Sequence, residues 1–148
     1  MTIVIDSSVV LKWVLNETDS EAAQWILDDY REDSVNLIAP SLMHAEVGNV
    51  LAKLVRGRKL TLAQGETCFR MVREHSPALY DSPAIWEVAL QIAIMHRQSY
   101  YDCLFLALAL DQRCGLVTAD EKFCRGMRHA FPALQLLRDY APSEQIER

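Results

Sequence analysis

Four carboxylates stand where a chain of this composition would not ordinarily place charge. Asp6 closes the apolar run Thr2-Ile3-Val4-Ile5, and Asp120 follows Leu116-Val117-Thr118-Ala119. On a helix, Glu46 lies about 60° from Met43 and about 40° from Val50, on the shoulder of an apolar stripe rather than on its outer face. Asp102 stands directly before eight consecutive apolar residues, Cys103 to Leu110. That run predicts a helix buried on most sides, with its first turn nearly buried too. An ionised carboxylate taken out of water is unfavourable unless it is hydrogen-bonded, paired or bound to a metal. If all four converge to spacings of ~5 Å, repulsion reaches on the order of 3 kcal/mol per pair at an effective dielectric of 20. Summed over the cluster, that rivals the whole stability of a domain, roughly 5–15 kcal/mol. A divalent cation removes the conflict. With no histidine or cysteine ligand among these acids, oxygen-only ligation favours magnesium or manganese over zinc. The chemistry such a site supports is hydrolysis of a phosphodiester, in which the cation activates water and shields developing charge. Ser7, Ser8 and Thr118 could donate hydrogen bonds to the carboxylates from behind.

Each acid also has a plainer reading. Asp102 fits the third position of a capping box begun by Ser99, and Asp120 fits the cap of a helix starting near Glu121, each worth roughly 1 kcal/mol. Asp6 could bond backbone amides in the turn after its strand, and Glu46 could pair with Lys53 or an arginine.

The elements that must bring these acids together alternate in type. Thr2 to Ile5, Val35 to Ala39 and Gly115 to Thr118 read as short buried strands, with Pro77 to Tyr80 and Leu134 to Leu137 as weaker candidates. Helical periods join Ala22/Trp25/Ile26, Met43/Val47/Val50/Leu54 and Ile85/Val88/Ala89/Ile92/Met95, and the 103–110 run follows. Helix starts are marked at Thr18…Glu21, Thr61…Gln64, Ser82-Pro83, Ser99…Asp102 and Thr118…Glu121. Such alternation predicts one three-layer α/β/α domain over 1–140 with a mainly parallel central sheet, followed by a frayed tail over 141–148. In open sheets of this kind ligands bind beyond the carboxyl ends of the strands, the edge at which Asp6 and Asp120 fall.

The chain has 148 residues and a net charge of −5, which reads against a nucleic-acid partner until the charge is located. Residues 17–33 hold seven acids against Arg31, so everything else sums to +1. With that stretch and the four anomalous acids set aside, 14 bases face 9 acids. Lys53, Arg56, Arg58 and Lys59 cluster beyond the Glu46 helix, and Lys122, Arg125 and Arg128 follow Asp120 at helical spacing. A basic rim around an acidic centre suits a phosphate backbone. The spacing of aromatics among these bases does not argue for base stacking, so no sequence preference is read from it. The acidic stretch reads as a solvated helix face. The four cysteines lack a C-x-x-C pair and read as reduced thiols, and the four histidines have no ligand spacing. No secretory signal or membrane-length apolar segment is apparent, so a cytoplasmic protein is expected.

Val4-Ile5-Asp6-Ser7-Ser8, Glu46 in HAEVGNVL, Asp102 in YYDCLFLALAL and Asp120 in LVTADEKF together resemble the PIN-domain nucleases, most closely the ribonuclease toxins of VapC type. The resemblance covers nearly the whole chain in order. It implies a magnesium- or manganese-dependent endoribonuclease acting on RNA, a cognate antitoxin that folds over the active site, and a homodimer. It maps the family's acidic site onto Asp6, Glu46, Asp102 and Asp120, and its hydroxyl positions onto Ser8, Ser7 and Thr118. A signalling receiver would carry paired acids after the first strand, and a haloacid dehalogenase-type phosphatase an Asp at position 8; Ser7 and Ser8 stand there instead. A PIN-like protein that binds RNA or a partner without cutting remains the nearer alternative.

Overall fold

A computed structural model of the chain describes residues 1–142; most of the expected tail, 143–148, lies outside the described residues. Five parallel strands form one sheet in the order β3-β2-β1-β4-β5, where β1 is Thr2–Ile5, β2 Asn36–Ala39, β3 Ala78–Leu79, β4 Gly115–Thr118 and β5 Leu134–Leu136. The two weaker candidates both form strands, shortened to two and three residues. β1 pairs with β2 on one side and β4 on the other. The chain therefore builds outward in one direction through β3, then returns past β1 and builds the other way. The β1/β4 junction is the topological switch point, the crevice where open α/β sheets bind ligands.

Seven helices connect the strands: α1 (Ser7–Leu11), α2 (Ser20–Arg31), α3 (Leu42–Arg56), α4 (Leu62–Glu74), α5 (Pro83–His96), α6 (Tyr100–Asp111) and α7 (Glu121–Met127). Right-handed crossovers put α1 to α4 on one face and α5 to α7 on the other. α3 packs on α4 and α1, α5 packs on α6, and α6 lies against β1 and β4. Every residue of α6 from Cys103 to Ala109 is buried, as a helix apolar on all sides requires. Its first turn is not: Tyr101 is 58% exposed and Tyr100 36%, because the helix projects its N-terminus beyond the sheet edge.

Helix α4 starts as expected. Thr61 Oγ1 accepts from Gln64 N at 3.1 Å while Gln64 Oε1 accepts from Thr61 N at 2.9 Å, a complete capping box. The box expected from Ser99 and Asp102 does not form: Ser99 occupies the N-cap but makes no side-chain cap bond. The N-cap of α2 is Asp19 rather than Thr18.

Two helical faces differ from expectation. Asp29, counted with the solvated acids, is 5% exposed and accepts a 2.6 Å hydrogen bond from the Tyr140 hydroxyl, tying α2 to the C-terminal segment. Met95, counted with the inner stripe of α5, faces outward with Trp86, Leu90 and Ile94. The apolar VVLKWVL stretch after Asp6 is core, with Val9, Val10, Leu11 and Trp13 buried. All four cysteines are free, Cys103 and Cys124 buried and the other two partly so.

Candidate functional site

The sheet register itself begins the site. Ile5 pairs with Val117, so the next residue on each strand, Asp6 and Thr118, emerge side by side at the switch point. Asp6 N donates to Val117 O at 3.0 Å, extending the ladder to the last residue before the chain turns into α1. Asp6 is 8% exposed, and its Oδ2 accepts from both Thr118 Oγ1 at 3.0 Å and Ser8 Oγ at 2.5 Å. Each hydroxyl is fixed in turn by a backbone amide from the β4 side: Ala119 N donates to Ser8 Oγ and Asp120 N to Thr118 Oγ1, both at 3.1 Å. The lattice ties the ends of β1 and β4 together and orients one carboxylate oxygen.

Glu46 arrives from α3 and Asp102 from the first turn of α6, helices on opposite faces of the sheet. Glu46 Oε1 accepts from Ser7 Oγ at 2.9 Å, so Ser7 takes the place that Lys53 or an arginine was expected to fill. Asp120 caps α7, its Oδ1 accepting from Phe123 N at 2.9 Å, the plainer reading realised in full for one oxygen. Asp102 has no hydrogen bond among the described residues. Since no buried side-chain oxygen there lacks a partner, its carboxylate reaches solvent.

Three of the acids, Asp6, Glu46 and Asp102, are raised, each partly by a neighbouring acid. Burial pushes the Asp6 carboxyl above its usual range; the hydroxyls of Ser8 and Thr118 pull it back, and Asp120 adds to the rise. Glu46 is pushed up to about 7, by burial first and then by Asp6 and Asp102, against the Ser7 hydrogen bond. Asp102 is pushed up to about 6 by burial, Asp6 and Asp120. No cationic side chain counters these rises, and the ion pairs among the described residues, Lys12–Glu17, Arg31–Asp28 and Arg138–Glu121, involve none of the four.

These carboxylates fit a hard divalent cation by donor chemistry: oxygen acceptors alone, excess negative charge and no lysine or arginine at hand. They do not yet form a coordination shell. Among the described residues no three histidine, cysteine, aspartate or glutamate side chains are drawn close enough to hold an ion as they stand. Like charges favour rotamers that hold the oxygens apart, and no side-chain hydrogen bond restrains Asp102.

The basic residues lie where the sequence suggested, all exposed. Lys53 and Arg56 occupy the last turn of α3, with Arg58 and Lys59 in the loop beyond; Lys122, Arg125 and Arg128 follow Asp120 along α7 and its C-cap. At 1.5 Å per residue, Arg56 stands roughly 15 Å along the helix from Glu46 and Arg125 roughly 8 Å from Asp120. None is ion-paired among the described residues. What the sequence reading missed is the exposed Tyr100-Tyr101 pair in the first turn of α6, directly before Asp102. Its signal was the tyrosine doublet directly before Asp102, absorbed into the expectation of a buried first turn.

An all-parallel five-stranded sheet with acidic residues at its switch point defines a doubly wound α/β protein. The chain belongs to the PIN-domain family, whose profile matches residues 3–126. It is 31% identical over 122 residues to the VapC ribonuclease Mb0985 of Mycobacterium bovis and to Ribonuclease VapC9 of Mycobacterium tuberculosis; each match covers 80% of this chain and 85% of the relative. Among solved structures it is similar to PAE2754 from Pyrobaculum aerophilum, with a TM-score of 0.69, 18% identity and 93% of both chains covered. It is also similar to VapBC2 from Rickettsia felis bound to a DNA fragment from their promoter, with a TM-score of 0.63 and 13% identity over 92% of this chain and 97% of that one.

Proposed function

We propose that the protein is a magnesium- or manganese-dependent endoribonuclease, the toxin of a toxin–antitoxin pair, acting in the cytoplasm. The observation that carries this reading is the group of raised carboxyls at Asp6, Glu46 and Asp102, each with neighbouring acids among its causes and no cationic side chain to balance them. Asp6, Glu46, Asp102 and Asp120 would hold the cation, which supplies Lewis-acid activation of water and shields charge on the phosphate. The chain's own contribution is positioning. Ser8 and Thr118 fix Asp6, Ser7 fixes Glu46, and the α7 cap holds one oxygen of Asp120. Lys53, Arg56, Arg58 and Lys59 on one side and Lys122, Arg125 and Arg128 on the other would hold the RNA backbone across the acidic centre, offsetting its repulsion of phosphate.

An antitoxin partner is inferred from the VapBC relatives. The apolar groove between α3 and α4, about 450 Å³ and lined by Leu51, Val55, Leu62 and Phe69, and the outward face of α5 both offer apolar surface to a protein partner. A homodimer would draw on the same α5 face.

The second reading, an RNA-binding PIN protein without cleavage, is favoured by one observation: among the described residues no three ligating groups are gathered. Incubating RNA with the protein, with magnesium or with chelator, and comparing wild type with Asp6→Asn at matched folding, decides between them. Magnesium-dependent cleavage that vanishes in Asp6→Asn supports the enzyme; binding without cleavage in any metal supports the second reading.

A further inference from the structure

We propose that Tyr101 is a base-stacking residue: its ring receives an unpaired base next to the phosphate held at the acidic centre. The inference rests on the ribonuclease reading but asks more of it, since nothing in that reading assigns a contact to a base. Tyr101 directly precedes Asp102 in α6, with Cα atoms ~3.8 Å apart, so its ring leaves the same exposed first turn that carries the acid. At 58% exposure Tyr101 keeps most of its surface in water although it begins a helix that is otherwise buried to Ala109. The Tyr100 ring meets it edge-on, with centroids 6.3 Å apart and planes at 61°, which restricts the Tyr101 side chain while both rings stay open to solvent. Neither hydroxyl has a hydrogen bond among the described residues, so the pair is not held there by its polar ends. An exposed, braced aromatic face is what single-stranded RNA uses as a platform.

The basic segments supply attraction to any backbone, from Lys122 two residues after Asp120 out to Arg56 roughly 15 Å along α3 from Glu46, but that attraction is the same for every phosphate of a strand and does not fix which one enters. A base seated on Tyr101 would do so. Stacking also explains why an aromatic is tolerated in water beside a carboxylate: the ring is part of a contact surface rather than an unfilled piece of core.

The test measures binding of a short labelled single-stranded RNA to wild type, Tyr101→Ala and Tyr101→Phe, each in chelator, across a salt series, with cleavage in magnesium run alongside. Tyr101→Ala is expected to weaken binding ~5- to 100-fold with an unchanged salt slope, and Tyr101→Phe to bind like wild type. An RNA carrying one abasic site beside the cleavage position should lose affinity for wild type but little further for Tyr101→Ala. Cleavage by wild type together with wild-type affinity in Tyr101→Ala, or abasic and Ala losses that simply add, would overturn the proposal and leave the ribonuclease reading standing. Absence of both cleavage and RNA binding in wild type would overturn the reading and this inference with it.

Discussion

Asp6 is the residue at which the opposing forces are largest. Burial pushes its proton affinity up, while two hydroxyls, each anchored by a backbone amide of the neighbouring strand, pull it down. Replacing Thr118 with valine keeps the shape and removes one of those donors. The Asp6 carboxyl should then titrate at higher pH in a carbon-13 NMR titration, and cation affinity should fall; a lower titration midpoint would contradict the assigned role of the hydroxyl. Glu46 and Asp102 give a second consequence at this scale. Their carboxyls are raised to about 7 and about 6 from ordinary values of 4.5 and 3.8. Between the ordinary and raised values the folded chain keeps protons that the unfolded chain has released, so stability falls as pH rises through that window. The melting temperature in chelator should therefore decline between about pH 4.5 and pH 7. Glu46→Gln should flatten that decline, and an unchanged slope in this variant would place the titrating group elsewhere.

Elements were legible wherever one physical signal dominated. The Thr61/Gln64 capping box, the three apolar strands and the buried helix after Asp102 follow from local chemistry and composition, and the fold has them. Asp6 and Thr118 meet because parallel pairing of β1 with β4 sets the register; the sequence pattern offers both residues but not the pairing. The Ser99 box was misread because the same spacing serves an N-terminal turn whose acid looks away from its cap. Asp29 was misread because its partner, Tyr140, is far away along the chain and no periodic pattern links them. Whether the four acids share an ion was beyond reach, since coordination depends on rotamers that spacing cannot fix. Two substitutions test the elements apart from the site. Phe105→Ala, at a position 1% exposed in α6, should cost roughly 3–5 kcal/mol in denaturant unfolding. Thr61→Ala should cost about 1 kcal/mol and leave RNA cleavage unchanged. A small loss at Phe105 would mean that α6 is not central to the core.

At the scale of the whole molecule, the acidic bias of −5 and the proposed affinity for RNA coexist because the charges are segregated: acids gather around α2 and at the switch point, bases at the end of α3, in the loop beyond it and along α7. Lys53→Ala with Arg56→Ala should lower RNA affinity and shallow its salt dependence by roughly one to two counterions, without altering base preference. The outward face of α5 is an apolar open surface, with Ile94 71% and Met95 76% exposed. Leu90→Asp with Ile94→Asp should abolish self-association in sedimentation analysis; an intact dimer would assign the interface to another surface. Among the described residues no helix is long and apolar enough to cross a membrane, so that face is not part of a spanning helix. The central claim is that remote carboxylates share one hard cation at the switch point. Calorimetric titration of manganese into wild type and into Asp6→Asn, Glu46→Gln, Asp102→Asn and Asp120→Asn, each checked for folding, addresses it most directly. The account predicts saturable binding by wild type and a loss of about tenfold or more in every variant, whereas wild-type affinity in the variants, or no binding by wild type, would contradict it.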